Sequence, residues 1–231
     1  MRLDKCVAHL GYGSRKQVKA FIRKGYVSGN GEIILDDDFH VDETNDEIHF
    51  LEETINYEKQ QYFLINKPID TICSQDRSLY PSVLDLIEEP LLPNTQPVGR
   101  LDVDTTGALL ITNDGQLAHR LLSPKHHVDK VYDVVLEKAF EAKWITQIEK
   151  GMVLSDHEHC LPAKVSILNE NRIELTLSEG KYHQVKRMMH ACDNQVVLLH
   201  RKMFSILSLD NLEIGHFRSL STEEIKALKS I

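Results

Sequence analysis

The chain has 231 residues and a formal net charge of −8 at pH 7, so it can bury one large core or a medium core with a small satellite domain. No apolar run approaches the ~18–20 residues of a membrane span, and the first residues do not form a signal peptide. These features predict a cytoplasmic protein without a membrane anchor. The four cysteines have no C-x-x-C spacing, so we expect reduced thiols and no zinc site.

Charge is segregated at the start of the chain. Residues 1–31 contain seven Lys or Arg and one acid, whereas residues 32–58 contain eleven acids and no Lys or Arg. A first helix is predicted there because apolar residues recur at helical spacing, and glycines at positions 11 and 13 end it. Its apolar positions are Leu3, Cys6, Val7 and Leu10.

A second helix is predicted to begin with a capping box formed by Ser14 and Gln17, and to end at Gly25. Its buried stripe is expected to consist of Val18, Phe21 and Ile22. Its basic residues share or border the opposite face, and they are Arg15, Lys16, Lys19 and Arg23. Such a face can be merely solvated, or it can bind a polyanion.

Two short strands joined by a Gly-Asn-Gly turn are predicted next, within residues 26–35. Residues 2–33 as a whole resemble an S4 domain, a small helix–helix–hairpin module that binds structured RNA through its basic second helix. The matching features are the opening Arg-Leu-Asp-Lys, the Ser-Arg-Lys at the second helix and the closing Asn-Gly. The resemblance implies that the basic face neutralises RNA phosphates.

The segment 51–60 (LEETINYEKQ) is polar and without periodicity, so we interpret it as a neck between domains. The predicted domains are an S4-like RNA-binding domain at 1–56 and a second domain at 57–231. Strands are predicted at 62–68, 108–113 and 131–137, with Tyr132, Val134 and Leu136 on one face of the last. A hairpin is predicted around Asn169-Glu170-Asn171.

Helical patterns separate these strands. Short helices are predicted at 81–89 and 116–123, and a longer one at 182–192. Another helix carries Trp144, Ile145 and Ile148 and ends at Gly151, and a terminal helix begins with a capping box at Ser221 and Glu224. Many strands with segregated helices predict an α+β fold around a mixed or antiparallel sheet.

Several chemistries have no motif in this chain. Phosphate-binding, dinucleotide-binding, nucleophile-elbow and H-E-x-x-H patterns are missing from the sequence. The run His157-Glu158-His159-Cys160 looks like a metal cluster but is interpreted as a surface loop, and His126-His127 as surface or RNA-facing. We therefore expect no metal and no cofactor, so that side chains carry any chemistry.

The run VGRLDVDTTGALLITNDG, residues 98–115, places Arg100 and Asp102 just before an apolar strand. One interpretation is an Asx-type turn that leads into the strand. The other is a carboxylate mounted at the mouth of a cleft, with the strand as its rigid support.

Three runs resemble the motifs of the RsuA family of pseudouridine synthases. Residues 99–115 match its Gly-Arg-Leu-Asp to Thr-Asn-Asp-Gly signature, with Ala108 where a leucine is usual. KVYDVVL at 130–136 resembles the second motif, in which a tyrosine follows a lysine by two residues, and EGKYHQVKRMM at 179–189 resembles the third. The resemblance spans the chain from the S4-like segment to the terminal helix, and it implies isomerisation of a uridine in RNA, without a cofactor.

The resemblance implies roles for individual residues. Asp102 would be the catalytic carboxylate, and its ionised form needs a nearby cation. Lys186 aligns with the basic residue of the family, and Arg187 is the alternative, because adjacent helical side chains point about 100° apart.

The remaining residues would handle the RNA. Tyr132 would stack on the flipped uracil, although it could equally be a core tyrosine. Arg100 would contact phosphate or fill the gap that the base leaves, although a salt bridge to Asp104 is the alternative. Val185 would line the uracil pocket or belong to the core.

The S4-like segment and the end at Ile231, without a long basic tail, lead us to expect a monomer acting on 16S (small-subunit) ribosomal RNA, free or in a ribonucleoprotein particle. Two other classes are considered. A non-catalytic S4-type rRNA-binding or assembly protein would not need Asp102, Tyr132 and Lys186 together. A hydrolase would use Asp102 and Asp104 as paired acids, and these side chains diverge if the segment is extended.

Overall fold

The computed structural model of the chain describes residues 1–42, 46–55, 60–74, 79–154 and 156–231. They form two compact units, the first made of Met1–Gln61 with Glu89–Thr95 and the second of Tyr62–Glu88 with Gln96–Ile231. The predicted domain boundary between residues 56 and 57 lies outside the described residues. No helix within the described ranges is long and apolar enough to cross a membrane.

The first unit contains two helices followed by a small antiparallel sheet. Its elements are α1 (Leu3–His9), α2 (Arg15–Arg23), β1 (Val27–Gly29), β2 (Glu32–Ile33), β3 (Ile48–Phe50) and β4 (Glu53–Ile55). The strands are arranged in the order β2-β1-β3-β4. The predicted helix–helix–hairpin arrangement is confirmed, with a second hairpin added to it.

The start of α2 is determined locally, as predicted. The Ser14 hydroxyl accepts a hydrogen bond from the Gln17 backbone, and the Gln17 side chain accepts one from the Ser14 backbone at 2.9 Å. Val18 and Ile22 are fully buried in the core of this unit, whereas Phe21 is half-buried. The capping box and the apolar spacing are therefore enough to form this helix.

The prediction of an irregular neck from residue 51 is wrong for residues 53–55. These residues form β4, in which Ile55 is the cross-strand partner of Ile48 in β3, and both side chains are buried. Leu51 has a φ of 57° in the turn between the strands. The sequence pattern was missed because each strand is only three residues long and most of the intervening side chains are acidic.

The second unit is built on one mixed sheet. Its strands are β5 (Tyr62–Lys67), β6 (Gln96–Pro97), β7 (Thr105–Thr112), β8 (Lys130–Leu136), β9 (Lys164–Asn169), β10 (Arg172–Leu177), β11 (Val196–Phe204), β12 (Leu207–Ser208) and β13 (Phe217–Ser219). Its helices are α3 (Gly115–Leu122), α4 (Ile145–Lys150), α5 (Gln184–Ala191) and α6 (Thr222–Lys229).

The main strand order is β13-β5-β7-β11-β8-β10-β9, with β6 beside β7 and β12 beside β11. Strands β7 and β11 are parallel, and the other pairs are antiparallel. The predicted α+β fold around a mixed or antiparallel sheet is confirmed. The hairpin predicted around Asn169 to Asn171 joins β9 to β10.

Local patterns explain most elements of the second unit. Along β8, Tyr132, Val134 and Leu136 are buried while the alternate residues are partly exposed, as their period of two predicts. Helix α6 begins with the predicted capping box of Ser221 and Glu224.

Two helix predictions need correction. Residues 81–89 form only a 3₁₀ turn at Val83–Leu86. Trp144 lies in a 3₁₀ turn before α4, and of the expected apolar stripe only Ile148 is buried. A helix of fewer than two turns has room for one such inward position.

Gly107 allows the two parallel strands to meet closely. Its φ is 118°, and a Cβ atom there would lie 2.2 Å from the carbonyl oxygen of Arg201. No other residue could keep this approach of β7 to β11, because any side chain would overlap the neighbouring backbone. The start of β7, five residues after Asp102, is thereby held against the centre of the sheet.

Candidate active site

Asp102 lies in the segment between β6 and β7. Its carbonyl oxygen accepts a hydrogen bond from the Thr105 backbone at 3.1 Å, and the preceding Leu101 is buried. The Asp102 side chain is 29% exposed. The carboxylate is therefore anchored at its backbone while it stays accessible to a substrate.

Lys186 provides the cation beside Asp102. Its Nζ lies 3.0 Å from Asp102 Oδ2 and 2.6 Å from Asp104 Oδ1. Burial acts to lower the pKa of Lys186, but hydrogen bonds to Asp104 and Asp102 outweigh it and raise that pKa. Burial acts to raise the pKa of Asp104, but the Lys186 ammonium holds it below its usual value. Lys186 and Asp104 therefore stay charged at neutral pH.

The two acids converge on Lys186, which contradicts the expectation that their side chains diverge. That expectation assumed an extended chain, whereas the backbone turns at Val103 and Asp104. Residues two apart in a turn are not held on opposite faces as they are in a strand. The alternative salt bridge from Arg100 to Asp104 is not formed, and Asp104 is paired with Lys186 instead.

Arg187 points to other partners than Asp102. It forms ion pairs with Asp156 and Glu158, and its Nη1 donates a hydrogen bond to the Tyr182 carbonyl at 3.0 Å. The roughly 100° between successive residues of α5 separates the two cations. Lys186, not Arg187, contacts Asp102.

His183 also reaches Asp102, which the sequence analysis did not anticipate. Its Nε2 lies 3.5 Å from Asp102 Oδ1, the carboxylate oxygen not contacted by Lys186. His183 precedes α5 with a φ of 46°, a conformation that is uncommon for a residue with a side chain. The signal available was its position within the third motif, one residue before the Gln-Val pair.

Lys67 holds the backbone of the Asp102 segment from inside the unit. The side chain is fully buried at the end of β5, and Nζ donates to the carbonyl oxygens of Pro68, Asp102 and Thr105 at 2.9, 3.0 and 3.0 Å. Burial lowers the pKa of Lys67. Nothing in the local sequence distinguishes this lysine from one that ends a strand at the surface.

Further contacts fix the segment from the side of residues 70–73. The Asp70 backbone donates to the Val103 carbonyl at 2.9 Å, and the Leu101 backbone donates to Cys73 Sγ at 3.3 Å. Burial raises the pKa of the Cys73 thiol. Cys73 and the other three cysteines are free, as predicted.

Tyr132 lies at the centre of the sheet. In β8 it is flanked by Leu175 of β10 and Arg201 of β11, and Arg201 is in turn the neighbour of Gly107 in β7. Two strand spacings, or roughly 10 Å, therefore separate the backbones of Tyr132 and Gly107. The side chain of Tyr132 is 8% exposed, so a substrate would meet little more than its edge.

Arg201 is a buried cation beside Tyr132. Its Nε donates to the Ala108 carbonyl at 2.7 Å, while Nη2 has no hydrogen-bond partner among the residues that the structure describes. The guanidinium carbon lies 5.1 Å from the centre of the Phe204 ring, over which Lys130 Nζ also lies, at 5.8 Å. Two buried cations thus share one aromatic ring.

The other candidate residues are placed less distinctly. Arg100 is exposed, two residues before Asp102, with no ion pair in the described part of the chain. Val185 is buried on α5 next to Lys186, together with Met188 and Met189. These positions fit a role in RNA contact for Arg100 and in either pocket or core for Val185.

In the first unit, most of the predicted basic face is paired with acids. Arg15 contacts the buried Asp4 at 3.1 Å, Lys19 contacts Asp4 and Asp37, and Arg23 contacts Asp37 at 3.0 Å. Burial opposes ionisation of Asp4, yet Arg2 and Arg15 hold its pKa at about 2. Lys16 is exposed and has no ion pair within the described ranges.

The segment at 157–160 shows no metal geometry. Glu158 forms ion pairs with Lys181 and Arg187, and His157 and His159 are exposed. Across the described residues, no group of three or more His, Cys, Asp or Glu side chains could hold a metal ion.

Comparison with known proteins identifies both units. Residues 61–191 match the model of the RNA pseudouridylate synthase family, and residues 1–48 match the S4 domain. A crystal structure described as a pseudouridylate synthase superposes with a TM-score of 0.70, at 41% identity and with 99% of each chain covered.

Curated relatives cover the whole chain. Ribosomal small subunit pseudouridine synthase A of Haemophilus influenzae is 42% identical over 231 residues, with 99% of each chain covered. The Escherichia coli K12 protein of the same name is 38% identical, covering 99% of this chain and 100% of its own. The uncharacterized RNA pseudouridine synthase YtzG of Bacillus subtilis is 42% identical, covering 99% of this chain and 98% of its own. The resemblance seen in the three motifs is confirmed, and the chain belongs to the RsuA family of RNA pseudouridine synthases, with an S4 domain at its N-terminus.

Proposed function

We propose that this enzyme converts one uridine of small-subunit (16S) ribosomal RNA to pseudouridine. The names of the Haemophilus and Escherichia relatives support this substrate, at 42% and 38% identity over essentially the whole chain. The observation that carries the proposal is the partly exposed Asp102 carboxylate with Lys186 Nζ at 3.0 Å. It offers an accessible anion at the point where the family chemistry needs one.

The reaction is an isomerisation. The N1–C1′ glycosidic bond breaks, the uracil turns, C5 bonds to C1′, and C5 loses its proton while N1 gains one. Asp102 can act as a nucleophile at C1′ or can remove a proton from C2′, and both routes require the ionised carboxylate. Lys186 favours that form by its charge. Nothing is oxidised or added, so the reaction itself calls for no cofactor.

His183 and Lys67 position Asp102 in this proposal. Lys186 contacts one carboxylate oxygen and His183 the other, while Lys67 holds the Asp102 carbonyl oxygen. A carboxylate fixed at both oxygens and at its backbone has little freedom to rotate away from the sugar. Such preorganisation is what a reacting group needs.

The target uridine must leave its helix to reach Asp102. Tyr132 would stack on the flipped uracil, and Val185 would line the pocket beside Lys186. Arg100, exposed two residues before Asp102, would contact phosphate or occupy the gap left in the RNA. Arg187, which is already paired with acids, would contribute to RNA binding through its position next to the site.

The S4 domain would supply further RNA contacts through Arg15, Lys16, Lys19 and Arg23. We place its boundary with the catalytic domain between residues 56 and 57. We also propose that the enzyme acts as a cytoplasmic monomer, because a single site and a single S4 domain suffice for one uridine.

The hydrolase alternative is disfavoured by the charge states at the site. A pair of acids that hydrolyses a glycosidic bond needs one carboxyl group that stays protonated, and therefore has a raised pKa. The pKa of Asp104 is instead lowered by Lys186, so Asp104 is a poor proton donor. Two carboxylates on one ammonium group suit a site that keeps its anions ionised.

Pseudouridine mapping on purified RNA tests the proposal. The enzyme would be incubated with 16S transcript, with small-subunit particles and with large-subunit RNA, alongside the Asp102→Asn variant. We expect one modified uridine in 16S RNA, free or assembled, and none with Asp102→Asn. Modification confined to large-subunit RNA would contradict the substrate, release of free uracil would indicate a hydrolase, and binding without modification would indicate an assembly protein.

A further inference from the structure

The residue before His183 presents a large exposed aromatic ring beside the active site. Tyr182 is 77% exposed, and its ring stacks on the His183 ring with centroids 3.8 Å apart and planes 18° apart. His183 in turn reaches Asp102 at 3.5 Å. One face of the tyrosine is therefore covered by the imidazole, and the exposure leaves the other face open to solvent.

The backbone that carries these rings is tightly held. Arg187 Nη1 donates to the Tyr182 carbonyl, the Lys181 backbone donates to Gln184 Oε1 at 2.9 Å, and Gln184 Nε2 donates to Glu179 at 2.6 Å. These contacts on both sides explain how His183 keeps a φ of 46°. A strained conformation that its surroundings hold in place is typical of functional positions.

We propose that the open face of Tyr182 is a stacking platform for a nucleobase of the bound RNA adjacent to the flipped uridine. This inference rests on the proposed function and adds to it a residue that recognises the RNA. Aromatic side chains bind bases in this way because every base has a π-face, so the contact needs no hydrogen-bond pattern.

The geometry places the platform at a defined distance from the chemistry. Tyr182 and His183 are consecutive and their rings are stacked, so a base on Tyr182 forms a third layer above the imidazole that touches Asp102. Flipping one nucleotide leaves its neighbour without a stacking partner on that side. Tyr182 would restore such a partner to that neighbour.

Substitution of the ring separates stacking from other roles. Tyr182→Leu removes the π-face, whereas Tyr182→Phe and Tyr182→Trp keep it. We expect Tyr182→Leu to weaken RNA binding about tenfold, with the single-turnover rate at saturating RNA within about twofold of wild type. Tyr182→Phe and Tyr182→Trp should bind as wild type does. Because the side chain is so exposed, all three variants should keep the wild-type thermal midpoint.

The measurement uses the RNA that the wild-type enzyme modifies, with 2-aminopurine placed next to the mapped uridine. Fluorescence should be quenched on binding to the wild-type, Phe and Trp proteins and much less on binding to the Leu variant. Tyr80→Leu, at another exposed tyrosine of the second unit, is the matched control and should leave binding and quenching unchanged.

The inference is overturned if Tyr182→Leu binds and quenches as wild type does. It is equally overturned if Phe and Trp weaken binding as much as Leu, or if Tyr80→Leu has the same effect. Failure of the proposed substrate would look different, because the wild-type enzyme would then leave 16S RNA unmodified. The variants would in that case be compared on the RNA that it does modify.

Discussion

At the scale of single residues, the site consists of one accessible carboxylate among several partners. Asp102 contacts Lys186 and His183 through its side chain and Lys67 through its carbonyl oxygen. Asp104 shares Lys186 but is 63% exposed, and its backbone is not held by Lys67. The two acids are therefore a matched pair for testing which one reacts.

Asp102→Asn should abolish isomerisation while RNA binding and folding persist, because an amide is neither a nucleophile nor a base of useful strength. Asp104→Asn should retain at least a tenth of the wild-type rate, since Lys186 keeps its contact with Asp102. Single-turnover formation of pseudouridine, with RNA affinity measured in parallel, checks both variants. Substantial activity in Asp102→Asn would remove this residue from the catalytic role.

The neighbouring cations Lys186 and Arg187 should differ in what they control. Lys186→Met removes the ammonium from Asp102, so we expect the rate at neutral pH to fall and the acid limb of the pH–rate profile to move to higher pH. Arg187→Met removes ion pairs to Asp156 and Glu158, and it should leave the acid limb unchanged while weakening RNA binding. Single-turnover rates between pH 5 and 9 compare the two. The reverse pattern would show that Arg187 sustains the carboxylate.

At the scale of elements, helix α2 carries a basic face that is largely neutralised within its own unit. Arg15, Lys19 and Arg23 are paired with Asp4 or Asp37, whereas Lys16 is exposed. Replacing all four would therefore mix two effects. Loss of Arg15 would leave the fully buried Asp4 with fewer partners and destabilise the unit, whatever it did to RNA contacts.

Lys16→Ala gives the clearer measurement. If Lys16 neutralises one phosphate, the slope of log affinity against log salt should become shallower by about 0.7–0.9. Lys226→Ala, an exposed lysine on α6, is the control and should leave the slope unchanged. Binding titrations between 50 and 300 mM salt provide the slopes. An unchanged slope for Lys16→Ala would mean that this part of the face is only solvated.

The elements also show what could be predicted from sequence. The capping boxes at Ser14 and Ser221 and the alternation along β8 depend on residues close in the chain, and these predictions were confirmed. The parallel pairing of Leu199 with Thr105 joins residues far apart in the chain, and no local pattern encodes it. Strand order was accordingly left open.

The same distinction applies to the site. Asp102 and Lys186 could be proposed from motifs and from helix geometry. His183 could not, because its contact depends on a left-handed backbone conformation that other contacts enforce. Lys67 could not either, because its three acceptors are backbone carbonyl groups that any sequence provides.

At the scale of the whole molecule, the net charge of −8 conceals a positive interior in the second unit. Among its described residues, the buried charged side chains are the cations Lys67, Lys130 and Arg201 and a single acid, Asp114. Asp114 accepts a hydrogen bond from Tyr62 and does not pair with these cations. Buried charge without a counter-ion destabilises a fold, and proteins retain it chiefly where function requires it. Here it lies around the strands that carry Tyr132 and the start of β7.

Lys130 makes that cost measurable. Burial, followed by the nearby charge of Arg201, lowers the pKa of Lys130 to about 8. Below pH 8 the folded protein bears the full cost of the buried charge. As pH rises from about 8 towards the unfolded value near 10.5, the folded form loses its proton first, so this group makes the protein more stable with rising pH.

Lys130→Met should therefore raise the free energy of unfolding at pH 7 by about 1–3 kcal/mol, since it removes a charge that is costly to bury. It should also abolish the part of the stability increase between pH 8 and 10 that comes from this group. Urea unfolding followed by the fluorescence of Trp144, the single tryptophan, reports on the second unit. Lys226→Met, at an exposed position, should change neither quantity. If Lys130→Met instead destabilises the unit at pH 7 and leaves the pH dependence intact, the lysine contributes to stability through its hydrogen bond to Val128, and the positive interior is not the source of the cost.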